Sequence, residues 1–97
     1  MKFEYDPEKS KINLKKHGIT LEDAKQLWSV SSYVIPARTV EEPRWMRIGY
    51  LKVGQIAGKC FSCVFTLRGE IIRLISARRS RPDEEKLYYE NILQKKN

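Results

Sequence analysis

Cysteine is scarce in this 97-residue chain. Cys60 and Cys63 are the only two, too few for a disulfide-built scaffold, so a reducing cytoplasm is the expected compartment. Histidine is scarcer still: His17 stands alone, which excludes a mechanism built on two imidazoles. No apolar run approaches the ~20 residues of a membrane-spanning helix. The opening Met1-Lys2-Phe3-Glu4-Tyr5-Asp6 lacks the apolar block of a secretory leader. There is no Gly-rich phosphate loop, no Ser/His/Asp pattern and no carboxylate cluster suited to Mg²⁺. No cofactor or metal is therefore expected, and phosphodiester chemistry here would have to run without a metal. Repeats, low-complexity stretches and linkers are also missing.

The chain has 41% hydrophobic, 10% aromatic and 32% charged residues, enough apolar content to exclude a disordered tail. Residues 1–97 form one domain's worth of chain with one modest core. The formal net charge is +7, and its placement is uneven. Residues 1–30 carry a surplus of +1 and residues 82–97 a deficit of −1, so the excess lies between Ser31 and Arg81. Arginine dominates it: Arg38, Arg44, Arg47, Arg68, Arg73, Arg78, Arg79 and Arg81. Guanidinium groups grip phosphate bidentately and stack on bases, which points towards nucleic acid. A solvated basic face, or a patch for an acidic protein, accounts for the same charge.

Local patterns predict an α+β domain. Phe3-Glu4-Tyr5 alternates like a short strand. Asp6-Pro7 reads as N-cap and first turn of a helix running to His17, and Gly18 as its left-handed stop. This helix has only Ile12 and Leu14 as large apolar residues, so most of it should face water or a ligand. Thr20 opens a second helix with Leu21, Ala24, Leu27 and Trp28 on its buried side. Tyr33-Val34-Ile35 is strand-like up to Pro36, and a polar loop, Arg38 to Pro43, follows. A run from Trp45 to Val53 then pairs, through Gly54–Gly58, with Lys59 to Leu67. Arg68-Gly69 turns into a strand from Glu70 to Arg79, and Pro82 begins a polar helix ending near Gln94. Two N-terminal helices, an antiparallel meander and a C-terminal helix result.

Lys9, Asn13 and Lys16 form one stripe of the first helix, with His17 beside its end. Imidazole is suited to proton transfer near neutrality, but Lys-His-Gly is also what a helix C-terminus favours. In a regular strand, Ile71, Arg73, Ile75, Ala77 and Arg79 share one face, placing Arg73 among apolar neighbours. Such a guanidinium either pairs with an acid, Glu4 or Glu70, or lines an anion-binding groove. Cys60 and Cys63 are three apart in a strand, hence on opposite faces, and read as half-buried core residues.

Taken in order, these residues resemble the BrnT family of bacterial type II toxins. The resemblance runs through Phe3-Glu4-Tyr5-Asp6, Lys9, Asn13, Lys16-His17-Gly18 and Ala24. It continues through Arg44-Trp45-Met46-Arg47-Ile48-Gly49, Phe65-Thr66-Leu67-Arg68-Gly69, Arg73–Arg79, Glu85 and Tyr89. Tyr5, Phe65 and Ser80 depart from the commoner Trp, Tyr and Ala; at position 65, Phe keeps the packing and loses a hydroxyl. The resemblance implies a RelE-like fold and ribonuclease activity. It also implies neutralisation by a BrnA-type antitoxin with a ribbon-helix-helix DNA-binding part, the complex binding its own promoter DNA. No membrane is involved.

The expected chemistry is metal-independent RNA cleavage: the ribose 2′-hydroxyl attacks the adjacent phosphate, leaving a 2′,3′-cyclic phosphate and a free 5′-hydroxyl. Arg68, Arg73 and Arg78 are the candidates for stabilising phosphorane charge, and Lys16 or His17 for moving protons. Lys9, Arg44, Arg47 and Arg79 would hold the RNA backbone, and Trp45 would stack on a base. Two rivals use the same basic patch without catalysis: a DNA-binding regulator and an idle corepressor subunit. Against a DNA reader, the basic residues lie on strands rather than on a recognition helix.

Overall fold

Asp6 and Gly18 bound the first helix as the sequence predicts. The Asp6 carboxylate accepts from the Glu8 N–H at 2.9 Å, Pro7 takes the first turn, and Gly18 closes the helix at φ 74°. The computed structural model describes residues 1–38, 41–52 and 54–94. Its elements are β1 (Lys2–Glu4), α1 (Pro7–His17), α2 (Leu21–Ala24), a 3₁₀ segment (Lys25–Ser29), β2 (Ser32–Ala37), β3 (Arg44–Tyr50), a 3₁₀ turn (Gly54–Ile56), β4 (Cys60–Arg68), β5 (Ile71–Arg79) and α3 (Pro82–Tyr88). A π-helical turn, Tyr89–Leu93, extends α3. The predicted second helix is thus shorter, four residues of α-helix passing into 3₁₀ geometry. Thr39, Val40 and Val53, which the sequence placed in a loop and at a strand end, lie outside the described residues.

The five strands form one sheet in the order β1-β5-β4-β3-β2. β2 to β5 make the expected antiparallel meander, and β1 adds to the edge of β5 in parallel. β2 runs through Pro36 to Ala37 instead of stopping at the proline. It is an edge strand, where a missing N–H is tolerated. Gly49 is required by close approach: a Cβ there would lie 3.0 Å from the Ser31 carbonyl oxygen and 3.2 Å from Leu27.

One irregularity reorganises the site. The β4–β5 register slips between Val64 and Phe65, so Val64 pairs with Ser76 while Phe65 pairs with Leu74, leaving Ile75 bulged. The regular alternation read from the sequence therefore fails. Arg73, opposite Thr66, shares a face with Ser76 and Arg78, while Ala77 and Arg79 fall on the other face.

That other face carries the main core. Phe61, Cys63, Phe65, Ile72, Leu74 and Ala77 pack against Ile19, Leu21, Ala24 and Leu27. A second cluster on the Arg73 side joins Ile48, Cys60 and Tyr88, under α3. The two cysteines do lie on opposite faces, both fully buried rather than half-buried. Burial pushes the Cys63 thiol up to about 12, which makes it inert.

α1 packs with polar atoms. Ser10 Oγ accepts from the Leu21 N–H at 2.9 Å. Asn13 Nδ2 donates to the carbonyls of Ile19 and Ala77, both at 2.8 Å, and its Oδ1 accepts from the Ala77 N–H at 3.1 Å. The amide thus imitates a neighbouring strand where β1 has ended, satisfying the exposed edge of β5.

Candidate active site

Three guanidinium groups meet at the end of the sheet away from α3. Arg73 projects from β5 beside Thr66 of β4 and Glu4 of β1, its register partners. Arg44 begins β3 nearby and Arg68 ends β4. Arg44, Arg68, Arg73, Lys9, Asp6 and Glu42 line a depression of about 160 Å³. Thr66 Oγ1 holds the approach to β3 by donating to the Pro43 carbonyl at 2.7 Å.

Carboxylates attend these arginines without enclosing them. Arg73 Nη1 donates to Glu4 Oε2 at 2.9 Å, with side chains 31% and 37% exposed. Glu42 approaches Arg44 at 3.5 Å and Arg68 at 3.9 Å. The Arg44 Nε is buried with no hydrogen-bond partner among the described residues. Both alternatives read for Arg73 hold together: it has an acid partner, Glu4, and it lines a groove. Half-exposed ion pairs of this kind are worth about 0–1 kcal/mol, so an incoming polyanion can compete for the guanidiniums.

A second depression, of about 330 Å³, lies against α1 and is lined by Lys9, Ile12, Asn13, Lys16, His17, Ile75 and Ser76. Lys9 and Ile75 line both hollows. Together the hollows make a groove along the outer edge of β5, arginines at one end and Lys16 with His17 at the other. Lys9, Lys16 and His17 are exposed. Asn13, in the same stripe, is spent on backbone and presents no uncommitted amide to a ligand.

Four expected residues do not join this groove. Arg47 pairs with Cys63 on the helix side of the sheet. Its guanidinium lies 4.7 Å from the Trp28 ring centre and donates to Ser32 Oγ, and burial lowers its pKa. It is part of the packing rather than a backbone clamp. Trp45 is half-buried in the main core with its ring stacked on Phe65 at 6.0 Å, so it is no free platform for a base. Arg79, opposite Phe61, lies on the helix side with its guanidinium 5.9 Å from that ring.

Arg78 comes to the Arg73 face of the sheet, where regular alternation would have put it on the opposite one, but is clasped by Glu84 of α3, at 2.9 and 2.7 Å. Glu84 also accepts from Ser62 Oγ and the Arg81 N–H, each at 2.9 Å. Although burial alone would raise the carboxyl pKa, these donors outweigh it and hold Glu84 at about 2. This clasp fastens α3 to the sheet, and Arg78 has little left for a ligand.

Sequence reasoning overlooked Glu42, Ile12 and Ile75 as groove residues. Glu42 stands two positions before Arg44, a proximity that was legible. The role of Ile75 depends on the bulge and had no local signal.

A cationic depression along β5, lined by arginines, amines and an imidazole, gives this α+β domain a surface whose charge suits a polyanion. The sequence profile of the BrnT family, described as the ribonuclease toxin of a type II toxin–antitoxin system, matches residues 5–84. The chain belongs to this family. It is a ribonuclease toxin acting on RNA, with an antitoxin as its partner. No curated protein matches the chain closely. Among the described residues no helix is long and apolar enough to cross a membrane.

Proposed function

We propose that RNA is cut in the groove along β5, without a metal, by in-line attack of a ribose 2′-hydroxyl on its 3′-phosphate. The products are a 2′,3′-cyclic phosphate and a free 5′-hydroxyl. Arg73 is the central phosphate ligand, assisted by Arg68 and Arg44, where fixed cations stabilise the charge gained in the phosphorane. Lys9 bridges the two hollows and holds backbone, while His17 or Lys16 moves protons at the far end. The observation that carries this reading is the sharing of Lys9 and Ile75 by the arginine hollow and the His17 hollow. Arg78 is reassigned from charge stabilisation to fastening α3.

The antitoxin is proposed to be BrnA-like, with a ribbon-helix-helix part that takes the complex to promoter DNA. The cytoplasm is the proposed site of action.

The test is cleavage of RNA by the purified protein in EDTA, with Arg73→Ala and His17→Ala alongside. Each variant should lose growth inhibition while keeping its fold and its antitoxin binding. Wild-type toxicity in both would remove the assignment, and dependence of cleavage on added metal would remove the mechanism.

A further inference from the structure

We propose that the hollow between Ile12 of α1 and the bulged Ile75 of β5 is a nucleobase subsite, which takes the base of the nucleotide whose 3′-phosphate is cut. The proposal rests on the reading of the arginine hollow as the phosphate site.

Ile12 is 53% exposed on a helix whose inner face is polar, and the core makes no use of it. Ile75 is only half-buried because the register slip takes it out of the alternation that buries Leu74 and Ala77. Bulges re-aim side chains beside functional sites in this way. The two isoleucines offer an aliphatic floor, and Lys9, Lys16 and His17 surround it with cationic or protonatable groups. A flat, apolar-faced ring tethered to an anion suits this combination, whereas a purely aliphatic ligand would leave the cations unused. The hollow's volume of about 330 Å³ lies in the ~300–1,000 Å³ range of small-ligand sites. Because Lys9 and Ile75 also line the arginine hollow, base and phosphate of one nucleotide can occupy adjoining sites.

The lining further limits how the base is read. Asn13 is fully committed to backbone, which leaves the Ser76 hydroxyl as the one uncharged side-chain hydroxyl there. Recognition then depends mainly on apolar contact, so discrimination among bases is weak.

Affinities of the wild-type protein for inorganic phosphate and for adenosine and uridine 3′-monophosphates test the proposal. The nucleotides should bind about tenfold more tightly than phosphate, the scale of one buried apolar contact. Ile12→Ser should erase that advantage while leaving phosphate affinity unchanged, and Ile12→Leu should keep it. Ile12 is exposed, so neither substitution threatens the fold. Equal affinity for phosphate and nucleotides in the wild type overturns the subsite while leaving the phosphate site standing. An advantage that survives Ile12→Ser also overturns it. Phosphate binding that ignores Arg73→Ala, or is absent altogether, overturns the phosphate reading and the subsite with it.

Discussion

Arg73 and Arg78 come from the same strand and project from the same face of the sheet. Both are paired with a glutamate at short distance, yet they serve different ends. Arg73 makes one contact to Glu4, in a pair 31% and 37% exposed. Arg78 makes two contacts to a Glu84 side chain only 9% exposed, and Ser62 and Arg81 complete the coordination of that carboxylate. The difference lies in what covers each pair. α3 lies over the Arg78 end, whereas the Arg73 end opens into the groove beside Arg44 and Arg68. Identical ion-pair chemistry is thus a clasp where water is excluded and an interchangeable partner where it is admitted.

Exchanging the loss between the two pairs should give the largest contrast. Arg73→Ala should lower RNA cleavage by about 10²–10³-fold, the usual effect of removing a fixed donor from a developing anion. Its unfolding free energy should stay within about 1 kcal/mol of the wild type, as denaturant titration would read. Glu84→Ala should do the reverse, costing about 3 kcal/mol of stability by leaving Arg78 without its partner. Residual cleavage by the folded fraction should then stay near the wild-type rate.

Acid sharpens the same contrast. The Glu84 carboxyl sits at about 2 in the folded protein against an ordinary 4.5. A lowered pKa contributes stability that is complete above the unfolded value and disappears as pH falls towards the folded one. About 3 kcal/mol should therefore be lost between about pH 4.5 and pH 2. Glu84→Gln should flatten that part of the stability curve, and an unchanged slope would disprove the clasp.

A smaller effect is expected from Arg68→Ala. The KM for RNA should rise about tenfold, and the dependence of log affinity on log salt should fall by about one phosphate contact. Arg47→Ala should leave RNA affinity and its salt dependence alone and cost about 1 kcal/mol, from the lost contact over Trp28 and the hydrogen bond to Ser32. A change in salt slope for Arg47→Ala would return this residue to the RNA-binding face.

Local signals carried far in this chain. Asp6-Pro7 and Gly18 bounded α1, Thr20 began α2, and the meander from Ser32 to Arg79 followed from alternation and turns. Each feature depends on neighbours within a few residues, which sequence displays directly. The site was less legible because its membership depends on the face each strand residue takes. Arg47 and Arg79 looked equivalent to Arg44 and Arg73 in composition, and pairing with Cys63 and Phe61 put them on the helix side of the sheet instead. Trp45 went the same way, stacked on Phe65. Asn13 lay on the right stripe of α1, but its amide was taken by the edge of β5, a partner 64 residues away in the chain.

The amino-acid order alone determined the surplus of arginine between Ser31 and Arg81, the lone imidazole at a helix end and the family to which they belong. Tertiary structure alone decided which arginines reach water together. A single extra residue at Ile75 reverses the faces of β5, and the docking of α3 turns one of two similar ion pairs into a lock. Both outcomes arise from contacts between segments distant in sequence, where backbone register and the exclusion of water set the result, and no local pattern encodes either.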